Sequence, residues 1–479
     1  MTTYRWQSKA RAAMKTARTL LTLVLTSPFL FLVTSVFGQE AARVYPATPG
    51  EPVSKLFKVA VDGQSSPAYL AKVGTPANFT NDQETIAQAA FTSFDIQGGA
   101  EVEILYAKPV ASAKVLPSAS GIVPEISGNK VSFAVSQPGQ LTVEINGDWK
   151  NSLHLFVNSF ETNVPSPSDP NVIYFAPGIY HLNNIVVHTG QTVYLAPGAV
   201  LYANPTISGP LFTLNGSNIT LRGRGIIDGS AVPHGLGNLI YIYHKSNIQV
   251  EGVTLRDSSS WTFHLFNSQN VQVSNIKVFG WRLNSDGIDI DSSQNVTLGN
   301  SFFRTYDDQV VIKTNNTSGI ATSNILVTQC VIWNQIAHAL TLGSELLALA
   351  QNVTFNNIDI IHDKGRMALL AVYNGDTGLV QNVNWSDIRV EEVQRLVSVS
   401  ILDLGVSQTA ERGHVANISF TDITAPPPLR SGPNVDVEGY DSTHSVNGVL
   451  FNGVSIGGAL LRPGDVNQNQ YVSAVTVTP

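Results

Sequence analysis

From residue 218 onward the chain repeats one pattern of apolar and polar positions: an Asn, a β-branched residue, a third residue that is mostly polar, and a second large apolar residue. It reads Asn218-Ile-Thr-Leu, Asn247-Ile-Gln-Val, Asn270-Val-Gln-Val and Asn295-Val-Thr-Leu, and continues as Asn324-Ile-Leu-Val, Asn352-Val-Thr-Phe, Asn382-Val-Asn-Trp and Asn417-Ile-Ser-Phe. A weaker copy follows at Gly448-Val-Leu-Phe, and successive copies are 23 to 35 residues apart. Self-similarity at such a period is the signature of a solenoid. The stretches alternate with period two, are rich in Val, Ile and Thr, are broken by Gly and Asn, and carry no helical period, so each unit is predicted to be a coil of short strands. The expected fold is all-β, a parallel β-helix with strands stacked about 4.8 Å apart. The recurring Asn is expected at a turn, where it tolerates left-handed backbone and can form a side-chain ladder.

Aligning the coils on that Asn puts Trp261, Asn284, Gln309, His338 and Arg366 at one offset, and predicts that they stack in a column. Asp286, Asp307 and Asp308 fall beside it on neighbouring coils, with Lys313 on the same face. In a chain only 13% charged this is a concentration of titratable groups. Carboxylates a strand spacing apart cannot all ionise freely, which is the electrostatic condition for a pair in which one group donates a proton and another activates water. Two other readings of the same residues stay open: Asp286, Asp289 and Asp291 as turn caps, or the cluster as a Ca²⁺ site.

The motifs themselves are Asn284-Ser-Asp-Gly-Ile-Asp-Ile, then Asp307-Asp-Gln-Val-Val-Ile-Lys-Thr, then Ala337-His-Ala-Leu-Thr-Leu-Gly-Ser-Glu. They resemble the N-T-D-G, D-D and G-H-G-x-S-I-G-S signatures of glycoside hydrolase family 28, the polygalacturonases and their relatives, over roughly residues 170 to 400. The resemblance implies a right-handed, pectin-lyase-like solenoid and an inverting O-glycosyl hydrolase with no cofactor. It implies Asp307 as general acid, Asp286 and Asp308 as the groups that activate water, and His338 as the residue that tunes the acid and touches substrate. Asn284, Lys313 and Arg366 are carried over as substrate contacts. The family's R-I-K motif is represented here by Arg366-Met-Ala368, and the glycines flanking the His are Ala337 and Ala339. The chain also resembles glycoside hydrolase family 49, the dextranases and isopullulanase, which place a β-sandwich before a similar β-helix and act on neutral α-glucans. A polysaccharide lyase using Ca²⁺ with Lys313 or Arg366 as base, and a non-catalytic glycan-binding β-helix, are the readings from other classes.

Residues 1–38 carry Arg5, Lys9, Arg11, Lys15 and Arg18, no acid, and then an apolar run from Leu20 to Phe37, which reads as a secretory signal peptide, with an uncleaved membrane anchor as the alternative. Removal of the signal peptide would take the formal net charge from −7 to −12. An acidic secreted chain of this kind excludes nucleic acid as the expected partner, leaves no membrane contact after cleavage, and is expected to be an extracellular monomer acting on polysaccharide. Residues 41–162 alternate as in Val102-Glu-Ile-Leu-Tyr106 and predict a small β-sandwich, expected to pack on the first coils and cap an open sheet edge. The proline-rich stretch 163–171 reads as a linker, and 172–479 as the β-helix. The single cysteine, Cys330, rules out an intramolecular disulfide and sits on an apolar strand as a buried thiol. No Cys/His spacing supports a metal site. Trp261, Trp281, Tyr306 and Tyr373 are the candidate groove aromatics, with core and groove equally open for Trp281, whereas Trp333 and Trp385 are expected in the core.

Overall fold

The Asn-centred repeat builds coils of three strands each. One such coil runs Gln269–Ser274, Lys277–Phe279 and Ile288–Asp291, and its members pair in parallel with the equivalent strands of the coils before and after. The computed structural model describes residues 41–75 and 86–479, so the expected signal peptide and the sequon at Asn78 lie outside the described residues. First and second faces merge into one 21-stranded sheet, and the third face is a separate 11-stranded sheet from Ile185–His188 to Asn467–Gln468. Alternation decides which residues turn inward: Val271, Val273, Ile276, Val278, Ile288 and Ile290 of this coil all lie in the one apolar core that fills the solenoid. Trp385 belongs to it too, stacked 5.2 Å from Phe355 and 4.8 Å from Phe420.

The repeated Asn residues do form the ladder. From Asn218 to Asn417 each is left-handed, and each amide from Asn247 on donates to the Asn of the preceding coil at 3.0 to 3.3 Å. Asn pays little for that backbone, and a column of amides is satisfied without water. A second left-handed column, not read in the sequence, marks the corner between first and second faces at Asn275, Asn300, Gln329, Asn357, Asp387 and Asp422.

Residues 42–159 form a six-stranded mixed sheet facing a five-stranded antiparallel one across their own core. Their docking corrects the expectation of a cap on the first coils. The six-stranded sheet lies lengthwise along the second face, and Phe91, Phe156 and Leu116 pack against a row reaching from Val200 through Phe279, Phe302 and Trp333 to Ile361. Trp333 is therefore buried beneath the sandwich and not inside the solenoid. Cations are buried in the same seam. Arg224 meets Asp95 at 3.1 Å, Arg256 meets Glu51 at 2.6 Å, and Lys277 donates to Asn158 at 2.8 Å. Arg304 lies 3.6 Å from the Trp333 ring centroid and donates to Ser152, and burial pulls its guanidinium down to about 9.

His362 bridges the two parts, one ring nitrogen 2.6 Å from Glu144 of the sandwich and the other 2.6 Å from Glu392 of the solenoid. Burial lowers its pKa, but the two carboxylates outweigh that and raise it. A raised histidine stabilises the fold fully below its unfolded pKa, about 6.5, and the contribution is lost as pH rises through the folded value. The parent's melting temperature is expected to fall between pH 6 and 9 and His362→Gln to flatten that fall; an unchanged pH profile of melting in the variant would contradict this.

Candidate active site

The turns that join second to third faces carry the site, because there the chain leaves the sheet between two strands whose positions the core has already set. Three of them matter most: 280–287, 305–309 and 335–339. In the turn 305–309, Gln309 is fully buried and its amide accepts from Thr305 N–H at 2.9 Å while donating to Thr305 O at 2.9 Å and Asp307 O at 2.7 Å, which holds the two aspartates outward. In the preceding coil Arg282 donates to Val232 O and Ser230 O, and Ser285 Oγ to Arg282 O. The glycine of Asn284-Ser-Asp-Gly287 is needed by close approach, since a Cβ there would collide with the Gln309 carbonyl.

Asp286, Asp307 and Asp308 each offer a carboxylate oxygen, and these all lie within 4.8 Å of one another. Asp307 accepts from the backbone N–H of Asn284 at 3.0 Å and of Asp308 at 3.1 Å. Asp308 Oδ1 takes both the backbone N–H of His338, at 3.1 Å, and the ring Nδ1, at 2.6 Å. Lys313 points into the cluster from the third face, 3.0 Å from Asp289, 3.6 Å from Asp286 and 3.6 Å from Glu345, with its ammonium 3.7 Å from the Trp261 ring centroid.

These contacts separate the carboxyl groups. Burial, then the charges of Asp289 and Asp307, raise Asp286 well above the usual range. Burial and the charge of Asp308 raise Asp307, against its two backbone hydrogen bonds. Burial would raise Asp308 as well, but the charge and hydrogen bonds of His338 outweigh it and hold Asp308 below the ordinary value. Asp289 is pushed up to about 6 by burial, with Lys313 opposing; burial would lower Lys313, but the charges of Asp289, Asp286, Glu345 and Asp308 outweigh that and raise it. Asp286 Oδ1 and His338 Nε2 are buried without a protein hydrogen-bond partner. Among the described residues the three aspartates could also hold a metal ion, although the Lys313 ammonium already supplies fixed positive charge beside Asp286.

The observed register differs from the one expected from Asn offsets. Thr262 N–H bonds Asp286 O, Gly287 N–H bonds Asp308 O, and Gln309 N–H bonds His338 O. The column is therefore Trp261, Asp286, Asp308, His338 and Ala368. Asn284 and Gln309 are out of line with it, and Arg366 lies two positions short, its N–H on Ile336 O. Asn284 is left-handed with an exposed side chain, and its backbone is what reaches Asp307. Asp289 stands within the strand Ile288–Asp291 beside Lys313, which corrects the turn-cap reading for it, whereas Asp291 at the end of that strand accepts the backbone N–H of Asn315 in the next coil's turn at 2.8 Å.

The aromatics divide. Trp261 is half-buried beside Lys313, and Tyr373, 8% exposed, lies 5.0 Å from the His338 ring. Trp281 is half-buried at the sandwich seam, its indole N–H on Asp257 and Lys72 5.5 Å from its ring. Tyr306 is a correction: it is fully buried under Gly74 of the sandwich, where a Cβ would overlap its ring, so it does not line a groove. Glu345 and His264, the latter 3.5 Å from Asp291, complete the surroundings of the cluster. The Gly-Ser-Glu after the His motif was the sequence signal for Glu345. Cys330 is buried with its thiol pushed up to about 12, as an inert apolar residue.

The chain has relatives among known proteins. The chain is 22% identical over 194 residues to a "Probable exopolygalacturonase B" of Aspergillus fumigatus, a match covering 38% of this chain and 41% of that protein. The chain thus spans about two fifths of the length of such exopolygalacturonases. It is also 22% identical over 423 residues to a "Probable endopolygalacturonase D" of Aspergillus flavus, covering 82% of this chain and 81% of that protein. Among solved structures, Dex49A from Penicillium minioluteum superposes with a TM-score of 0.66 at 14% identity, over 91% of this chain and 96% of that one, a likeness of fold. The family model of the glycosyl hydrolases family 28 matches residues 212–475, more than half of the sequence, and the chain belongs to that family.

Proposed function

We propose that this protein hydrolyses an O-glycosidic bond of a polysaccharide outside the cell, with the carboxylate cluster as its chemistry. The observation that carries the reading is the gathering of three aspartate carboxylates within 4.8 Å of one another, one of them paired with His338. Asp308, held below the ordinary carboxylate range by His338 against its own burial, serves as the base, and Asp307, raised by burial and by the charge of Asp308, serves as the proton donor, with Asp286, raised by burial, beside them. In the reaction a water oxygen attacks the anomeric carbon and loses its proton to Asp308, with Asp286 Oδ1 orienting it. The bond to the leaving oxygen breaks as that oxygen takes the proton of Asp307. His338 holds the base in position through its Nδ1, and the outcome is inversion. Secretion is supported by the basic and apolar leader at residues 1–38.

The charge balance bears on the substrate. The only lysine in the cluster is engaged by three carboxylates, and the Lys of R-I-K is replaced by Ala368, which is buried. That favours a neutral glycan over a polyuronate, whose carboxylates would approach a surface rich in carboxyl groups. Polygalacturonate is the second reading, favoured by the names of the sequence relatives and by Arg366. A second stereochemical reading also has an observation behind it: oxygens within 4.8 Å are nearer the about 5 Å carboxyl separation of double displacement than the roughly 6.5–9.5 Å of inversion.

The test is reducing-end release from dextran, pullulan, polygalacturonate, rhamnogalacturonan and xylogalacturonan, with ultraviolet absorbance followed in parallel. Release from at least one, without absorbance, is expected. Unsaturated products suppressed by a chelator would support a lyase instead, and affinity without turnover on every substrate a binding protein.

A further inference from the structure

The outward side of the third face changes character along the solenoid. On the coils that carry the charged cluster its outward positions hold Asp289, Asp291 and Lys313. On the two coils before, the same register positions hold rings. His264 pairs with Asp289 and Phe266 with Asp291, and Tyr241 and Tyr243 pair in turn with His264 and Phe266. The rings touch one another: Tyr243 and Phe266 have centroids 5.6 Å apart and planes 8° from parallel, and Tyr241 lies 5.7 Å from Tyr243 and 5.1 Å from His264. His264 meets Trp261 edge-on at 4.9 Å, and Trp261 carries the Lys313 ammonium that sits on Asp286 and Asp289. One unbroken path of contacts therefore joins Tyr243 to the carboxylates.

Rings on a solenoid face are commonly covered by a loop or a second domain. Here the sandwich covers the second face, and its cores include none of these residues. Tyr243 is 46% exposed, and Tyr241, Trp261, His264 and Phe266 are half-buried. A contiguous row of uncovered rings beside a reactive cluster marks a binding surface. Its chemistry is apolar contact punctuated by two phenol hydroxyls, which suits pyranose rings, whose C–H surfaces pack on aromatics while their hydroxyls take hydrogen bonds. Successive rings are spaced by the coil repeat, about 4.8 Å, close to the repeat of an extended sugar chain.

Resting on the hydrolase reading above, we propose that Tyr241, Tyr243 and Phe266 form a glycan-binding floor that seats the polysaccharide on the side of the cluster opposite Tyr373. The floor binds chain residues beyond the bond that is cleaved, so its contribution grows with substrate length.

The test uses the full chain carrying Asp307→Asn, so that polysaccharide is not consumed, run in native gels containing dextran or polygalacturonate. Adding Tyr243→Thr or Phe266→Thr, which keep a β-branched residue on the strand, is expected to weaken retention by about tenfold each, with melting curves like that of the parent. In the active background the same changes are expected to flatten the rise of kcat/KM with oligosaccharide length. Undiminished retention in the double variant, no retention of the parent on either gel, or a change in oligomeric state by light scattering in place of a change in retention would each overturn the floor. Retention lost through Tyr243 in a protein that cleaves nothing would sustain the floor and sink the hydrolase reading instead.

Discussion

Asp307→Asn is expected to lower kcat by about 10²–10⁴-fold with little change in KM and a melting temperature equal to or above that of the parent. The amide keeps the size of the side chain and can still accept from the N–H groups of Asn284 and Asp308, but it has no acidic proton for a leaving oxygen. Stability does not suffer because the carboxylate it replaces is raised by burial and by Asp308, a mark of repulsion in the folded state. Loss of function together with gained stability is the pattern of a site whose strain serves chemistry. Steady-state kinetics beside thermal unfolding measures both halves, and full activity in the variant would remove Asp307 from the reaction.

Lys313→Met is expected to damage both activity and stability. It leaves Asp286 and Asp289, each almost wholly buried, without the ammonium that lies 3.6 and 3.0 Å from them. Removing one partner of a buried ion pair costs about 3–5 kcal/mol, and the two carboxyls respond by holding protons to higher pH. Their folded pKa values are already raised above an unfolded value of about 3.9. A carboxyl raised in the folded state favours folding while protonated and loses that contribution as pH rises through its folded pKa. The variant should therefore lie nearest the parent in acid and fall furthest behind above about pH 6, the value to which Asp289 is pushed with the lysine in place. Denaturant unfolding across pH 4 to 8 reads this directly; a deficit that does not vary with pH would show that Lys313 acts through packing alone.

Much of the fold was legible because a parallel β-helix writes its core into the sequence at period two and its bends into Asn residues. The ladder from Asn218 to Asn417 follows from that spacing. Register across the third face was not legible from it. Asn270 precedes Ile288 by 18 positions whereas Asn295 precedes Val310 by 15, so counting from the Asn misplaces residues on coils whose turn differs in length, Asn284 and Gln309 among them. The three aspartates could still be grouped because the local motifs place them within a few residues of the strand starts.

What the sandwich does was hidden for a different reason. Arg224, Arg256, Lys277 and Arg304 look like a solvated face in the sequence, and only a partner surface more than a hundred residues away buries them. The same long-range contact covers Tyr306, whose exposure depends on Gly74 and not on its own neighbours. Tyr241, Tyr243 and Phe266 gave a readable alternation of inward and outward positions, but outward aromatics are common on strands. Their meaning comes from standing in register with Asp289 and Asp291.

The most direct measurement is the anomeric configuration of the first product, followed by proton NMR on a cleaved oligosaccharide before mutarotation. Water delivered by Asp308 while Asp307 protonates the leaving oxygen gives a new reducing end opposite in configuration to the bond that was broken. A product that keeps the original configuration, or one that is unsaturated, would contradict that chemistry.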